Sequence, residues 1–271
     1  MKKVIIKLKE FVKKHESLHM KLAPIYLSYK RYKKLFYKFI DTKKDNEKLM
    51  VDIGAGTCFH RHWRNMEFPT KFYTQSKLVG VDYKYDLSSN KRFPFPDNSV
   101  SFFNSSNTFE HIPQEFCEFD FNEIYRCLKP KGAFRIQVPD IDCVYGAFGR
   151  RDEQFFRKRF LSFKNMEESF LLYFAAYFKD KVSPEELLKN YRNKNKEEFL
   201  NFYTEMVPRE YQKENSGNHI NWWDYNKLSK MLTNAGFTNV YRASFNNSKF
   251  IELKEMDSLH PETSIFIEAI K

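Results

Sequence analysis

No apolar run in the 271 residues approaches the roughly 18–20 needed to cross a bilayer, so no membrane span is expected. The N-terminus is charged throughout and lacks an apolar stretch leading to small residues, which argues against a secretory leader. The four cysteines, Cys58, Cys117, Cys127 and Cys143, include no CxxC pair. That scatter favours free thiols in a reducing compartment over a disulfide frame or a zinc site, and the cytoplasm is the expected location. No internal repeat or low-complexity tract is present.

What is present is charge of one sign at one end. The formal net charge is +11, and residues 1–48 alone hold 15 Lys and Arg against 5 Asp and Glu, which leaves the rest nearly neutral. A general nucleic-acid-binding protein places its charge on a folded face, so nucleic acid is not an expected partner. In residues 4–22, Val4, Ile5, Leu8, Phe11, Val12, Leu18 and Leu22 fall largely on helical spacing with lysines opposite, until Pro24 interrupts. A second basic-aromatic stretch, "IYLSYKRYKKLFYKFI", and the polar linker 41–48 follow. A basic amphipathic extension of this kind suits an anionic membrane surface, or packing on the protein's own body or on a second copy in a homodimer.

Residues 49–146 and 211–271 have a different texture. Short apolar runs predict strands at 49–53, about 64–67, 78–83, 100–104 and 133–138, a helix at 114–128, and closing strands at about 238–244 and 264–270. Alternation of this kind predicts a parallel sheet covered by helices. Residues 147–210, rich in Phe, Tyr, Lys and Glu, read as a helical insertion over the sheet, a lid bordering the substrate. Ser183 caps its "SPEE" helix with Pro184 at the first position and Glu186 reaching back. Asp224 starts the last helix and Gly236 ends it.

One stretch carries chemistry on its face. In "LMVDIGAGTCFHRHW" (49–63) a buried strand ends at Asp52 and runs into Gly54 and Gly56. Glycine there lets a ligand approach the backbone, and ligands of open α/β sheets sit at the carboxyl ends of strands. The plain alternative is a tight turn with nothing bound. The dinucleotide fingerprint GxGxxG fits poorly, because Phe59 and His60 occupy the region of its third glycine. His60 and His62 are read as exposed polar residues and not as a metal pair.

Taken with "FPFPDNSVSFFNSSNTFEHIP" (93–113) and "EIYRCLKPKGAFRIQVPD" (123–140), this motif resembles the class I S-adenosylmethionine-dependent methyltransferases, in particular the type 11 group. The ending "GNHINWWDYNKLSKMLTNAGFTNVYRASF" followed by "SIFIEA" is similar to that group's last helix and strand pair. The resemblance covers about residues 49–145 and 217–270. It implies a Rossmann-like, doubly wound, mostly parallel seven-stranded sheet, with S-adenosyl-L-methionine as cofactor. It assigns Asp52, Gly54, Ala55 and Gly56 to the methionine part, Asp86 and Leu87 to adenine, and Ser105 and Ser106 to the sulfonium and amino-acid end. An acidic residue ending the second strand should hold the ribose hydroxyls. Asp82, in "VGVD", leaves no room for a helix and third strand before Asp86, whereas Glu67 does, so Glu67 is assigned to ribose.

The sequence departs from the group's pattern in places. "KPGG" is "KPKG" here, and the helix after Gly56 must be very short. "NTFEH" (107–111) faintly resembles the ExxEH metal site of some methyltransferases. Asn107 replaces its first carboxylate, so no metal is expected, and Glu110 and His111 are read as holding the loop after the fourth strand.

The expected reaction is methyl transfer to a sugar or glycan hydroxyl, with N- or C-methylation of a small metabolite as the alternative. Candidate bases are His219, Asp140 and His111. His219 is preferred, with Asp140 orienting it or the acceptor, and with Trp222 and Trp223 available to stack on a sugar. Two rivals of another class are a nucleic-acid-binding protein, disfavoured by charge confined to the extension, and an inactive membrane-surface adaptor, disfavoured by the intact "DIGAG" and "VPD".

Overall fold

The computed structural model describes residues 48–56, 60, 62–68, 81–160, 163–257 and 261–271. The extension expected over 1–48 therefore lies outside the described residues, Lys48 excepted. Seven strands form one sheet: β1 (Leu49–Ile53), β2 (Arg64–Glu67), β3 (Tyr83–Lys84), β4 (Val100–Ser106), β5 (Leu128–Pro139), β6 (Asn239–Arg242) and β7 (Ser264–Ile270). Their order is β3-β2-β1-β4-β5-β7-β6. Every pairing from β3 to β5 is parallel, while β7 runs antiparallel to both β5 and β6. This is the expected Rossmann-like, mostly parallel sheet. Strand order reverses between β1 and β4, and it is there, outside the carboxyl ends, that such sheets bind ligands.

Alternation along the strands sorts side chains onto two faces. Val51, Ile53, Phe103, Phe134 and Ile136 join one apolar core with Phe121 and Ile124 of helix α1 (Gln114–Cys127). Met50, Phe102 and Ala133, one residue out of step, meet Trp63, Leu253 and Met256 on the other side. Arg135 is also on a central strand, fully buried, with Asp257 and Glu268 each 2.6 Å away. This ion triad was not anticipated from the sequence.

Helices α2 (Ile141–Gly149), α3 (Glu153–Arg157), α4 (Met166–Leu171), α5 (Pro184–Asn193), α6 (Lys196–Thr204) and α7 (Arg209–Glu214) lie between β5 and β6. They pack a core of their own around Phe148, Phe170, Phe174, Phe199 and Tyr203. The helical insertion thus begins at Ile141, directly after β5, and not at 147. Ser183 caps α5, its Oγ accepting the Glu186 N–H at 3.2 Å. The reciprocal pair expected there forms at α6 instead, between Asn195 and Glu198. Helix α8 (Tyr225–Asn234) starts at Asp224, whose Oδ1 accepts the Lys227 N–H at 2.7 Å. It stops at Gly236, whose φ of +109° suits a residue without a side chain. Among the described residues no helix is long and apolar enough to cross a membrane.

Four strands differ from expectation, β4 among them, which runs to Ser106 and not to 104. The third, expected over 78–83, is Tyr83–Lys84, and 78–80 lie outside the described residues. Asp82 stands at its threshold, where its carboxylate accepts the Asn65 N–H at 2.9 Å. β5 is longer than the expected 133–138 because the "KPKG" turn is absorbed into it. Lys131 takes the left-handed conformation itself, with φ +68°. β6 is shorter, its continuation broken into the single Ser244–Asn247 bridge.

Candidate active site

A cleft opens to solvent at the carboxyl ends of β1, β2 and β4, the place where open α/β sheets bind ligands. Ile53 and Gly54 follow from β1, Met66 and Glu67 from β2, Tyr85, Asp86 and Leu87 from the segment after β3, and Asn107, Thr108 and His111 from the loop after β4. Gln212 of α7 and Ser216 close it from the helical insertion. Of the residues assigned from sequence, Gly54, Glu67, Asp86, Leu87 and His111 line this cleft.

The glycine turn has a more specific cause than ligand access. Gly54 has φ +66°, and a Cβ there would fall 2.2 Å from the Thr108 Oγ1. The loop after β4 thus packs into the space that glycine leaves, which joins the ends of β1 and β4. Gly56, φ +54°, donates its N–H to the Glu67 Oε2 at 2.8 Å, and the Phe68 N–H reaches Oε1 at 2.9 Å. Burial pushes the Glu67 carboxyl above its ordinary value, and these two N–H donors pull it back. Each oxygen can accept a second hydrogen bond, so the carboxylate fits a pair of donating ribose hydroxyls. Asp82, the rejected candidate, spends its carboxylate on the backbone of β2 and does not line the cleft.

Asp86 shapes the adjoining turn, its Oδ1 accepting the Ser88 N–H at 2.9 Å, and Leu87 beside it is buried. Several assigned residues sit elsewhere. Asp52 is buried, with Oδ1 accepting from Asn104 at 2.8 Å, and Ala55 is buried next to the turn. Ser106 donates its hydroxyl to Gln137 at 2.6 Å, and Ser105 is fully buried, so neither borders the cleft. The polar residues presented there after β4 are Asn107 and Thr108. The positive φ of Asn107, +53°, turns the chain off the strand two residues later than expected.

Beyond Thr108 lies a cluster that sequence spacing could not assemble. Glu110 is 1% exposed, and His111 and His219 approach it from different parts of the chain. Their Nε2 atoms stand 3.8 and 4.0 Å from the Glu110 Oε1, and the two rings meet edge to face at 4.9 Å. Burial raises the Glu110 carboxyl to about 8 and lowers the His111 imidazole to about 3, with the His219 charge contributing. His219 is lowered by burial as well. At neutral pH both imidazoles are therefore uncharged.

The expected partnership of His219 with Asp140 is corrected by this geometry. Asp140 caps α2, its Oδ1 accepting the Asp142 N–H at 3.0 Å. The charged groups that act on it are Asp142, Arg242 and Asp224. Glu110, read from the sequence as holding its loop, is the carboxylate that His219 meets. The tryptophans are corrected too. Trp223 is in the main core and Trp222 is buried, with the Lys227 Nζ 3.9 Å over its ring, so neither is free to stack on a sugar.

Residues 61–136, from just past the glycine turn to the middle of β5, match the family model described as a methyltransferase domain, of the type 11 group. Over that segment the chain carries a methyltransferase domain. The match implies S-adenosylmethionine as the cofactor. No curated protein matches the sequence significantly. Among solved structures the chain is similar to a Thermotoga maritima protein described as an S-adenosylmethionine-dependent methyltransferase and possible histamine N-methyltransferase. That likeness has 16% identity and a TM-score of 0.40, covering 93% of this chain and 97% of that one. S-adenosylmethionine-dependent methyltransferases of Mesorhizobium loti (14%, TM-score 0.41, 82% and 90%) and Archaeoglobus fulgidus (13%, TM-score 0.42, 89% and 94%) are similar at the same level. At such identities no substrate is carried over.

Proposed function

We propose that this methyltransferase places its methyl group on a hydroxyl oxygen of a polar acceptor, with sugar and glycan hydroxyls the first class to test. The observation that supports this is the adjacency of the Glu67 end of the cleft to the Glu110–His111–His219 cluster. Bound with its ribose at Glu67 and adenine beside Asp86 and Leu87, S-adenosylmethionine would supply a methyl group already activated by a positively charged sulfur. The protein's share of the work is then to position the acceptor and withdraw its proton. A hydroxyl holds that proton tightly near neutral pH, so it needs such help more than an amine does. The cluster at His111, which borders the cleft, offers it.

N- or C-methylation of a small metabolite is the second reading, favoured by no particular residue here. Incubating the protein with S-adenosylmethionine carrying a labelled methyl group and panels of sugars, glycan acceptors and amines separates the two. Label on oxygen that depends on His219 supports the hydroxyl reading. Label on nitrogen that persists in His219→Ala refutes it.

A further inference from the structure

The Glu110 carboxylate has no ordinary structural explanation. It is buried, and neither oxygen accepts a hydrogen bond from another of the described residues. An orphaned buried acceptor costs about 1–3 kcal/mol, and more if it is charged. Two imidazoles face it through Nε2 at 3.8 and 4.0 Å, too far for hydrogen bonds. The opposite edge of each ring is tied down. His111 Nδ1 lies 3.0 Å from the Asn218 carbonyl oxygen, and His219 Nδ1 lies 3.0 Å from that of Tyr173. A carbonyl oxygen only accepts, so each Nδ1 carries the proton and each neutral ring keeps its lone pair at Nε2. Two nitrogen lone pairs and a carboxyl group that an ion would deprotonate on binding therefore converge, with their ligand atoms within 4.8 Å of one another.

We propose that Glu110, His111 and His219 bind one divalent first-row transition-metal ion, with open coordination positions on the side of the cleft. Imidazole and carboxylate together suit zinc, iron, cobalt or manganese, whereas magnesium and calcium prefer oxygen ligands alone. A backbone carbonyl on the far nitrogen is the outer contact that orients histidines holding a metal. An ion about 2.0–2.2 Å from each ligand would draw the three atoms to roughly 3.4 Å apart, closing the two Glu–His separations by about half an ångström and the His–His separation by up to about 1.4 Å. His111 lines the cleft, so an acceptor oxygen could complete the coordination and lose its proton to solvent water more readily there. That role in transfer rests on the hydroxyl reading above; the binding of the ion does not.

The test uses the full chain stripped with a chelator and titrated with Co²⁺ and with Zn²⁺, with neither cofactor nor acceptor present. One ion per chain is expected, with a visible Co²⁺ absorption band. Glu110→Gln and His219→Ala should each weaken uptake by at least about 100-fold, the upper end of what loss of an outer contact alone costs. Thermal unfolding of the stripped Glu110→Gln protein, expected at or above the parent's, shows that this variant folds. Its retained affinity for S-adenosylhomocysteine shows that the cofactor end is intact. No uptake by the parent, or uptake unchanged in both variants, overturns the proposal. Stoichiometric uptake without methylation of any hydroxyl would refute the acceptor reading and leave the metal site standing.

Discussion

Replacing Glu67 by Gln removes one charge at the end of β2 and almost no volume. The carboxylate already accepts the Gly56 and Phe68 N–H groups at 2.8 and 2.9 Å, so it is held in place before any ligand arrives. Hydrogen bonds to a charged acceptor contribute about 1.5–3 kcal/mol. Losing the charge should therefore raise the dissociation constant for S-adenosylhomocysteine by about 10- to 150-fold. The acid side of the pH profile adds a second signature. Burial raises the Glu67 carboxyl in the free protein, and ribose hydroxyls donating to the carboxylate favour its charged form. Affinity should thus be flat above that raised value and fall by up to about tenfold per pH unit below it. In Glu67→Gln this acid limb should be absent. Asp82→Asn, which weakens the contact to the Asn65 N–H and lies outside the cleft lining, should leave both affinity and profile near the parent's. Calorimetric titration of the three proteins across pH 4–8, with melting temperatures to confirm folding, reads all of this. Weakening confined to Asp82→Asn would refute the reasoning, as would a parent profile with no acid limb.

Three further outcomes follow from other parts of the molecule. Arg135→Leu strands the buried carboxylates of Asp257 and Glu268; it should cost about 3–5 kcal/mol and lower the melting temperature by roughly 6–15 °C, and a loss under 1 kcal/mol would show that the triad is not coupled. Asp120 is held well above the usual carboxylate range by burial, and the Asp86 and Glu123 charges add to this. The folded state then binds a proton that the unfolded state has lost above about pH 4, so stability falls as pH rises. Asp120→Asn should match the parent near pH 4 in denaturant melts and exceed it increasingly toward neutrality. The basic extension over residues 1–48 should carry the protein onto anionic vesicles at low salt and release it at high salt; absence from the low-salt pellet would refute a membrane role.

Local rules made much of the fold legible. The sheet follows from alternating apolar runs, and the helix limits at Ser183, Asp224 and Gly236 follow from capping chemistry that acts within a few residues. Glu67 could be chosen over Asp82 by counting, because a helix and a strand need a minimum length of chain. The glycine turn was legible as a turn, but its reason was not, since Thr108 enters the space beside Gly54 from the loop after another strand.

What escaped the sequence depends on distance along the chain. Glu110 and His219 are brought together by a helical insertion, and no local pattern encodes that meeting. Arg135 looks like a charged residue at odds with a central strand until Asp257 and Glu268 are placed against it. Asp140 and Ser106 have the right chemistry at the right strand ends, yet Asp140 caps a helix and Ser106 bonds to Gln137. The tryptophan pair after His219 is aromatic enough to suggest a sugar platform, but burial removes it from solvent.

The account stands most directly on where the cofactor lies. A crystal structure of the protein grown with S-adenosylhomocysteine decides this. The prediction is a nucleoside in the cleft at the ends of β1 and β2, its ribose hydroxyls within hydrogen-bond distance of the Glu67 carboxylate and its adenine beside Asp86 and Leu87. A nucleoside bound to Asp82, or seated away from this cleft, would contradict it.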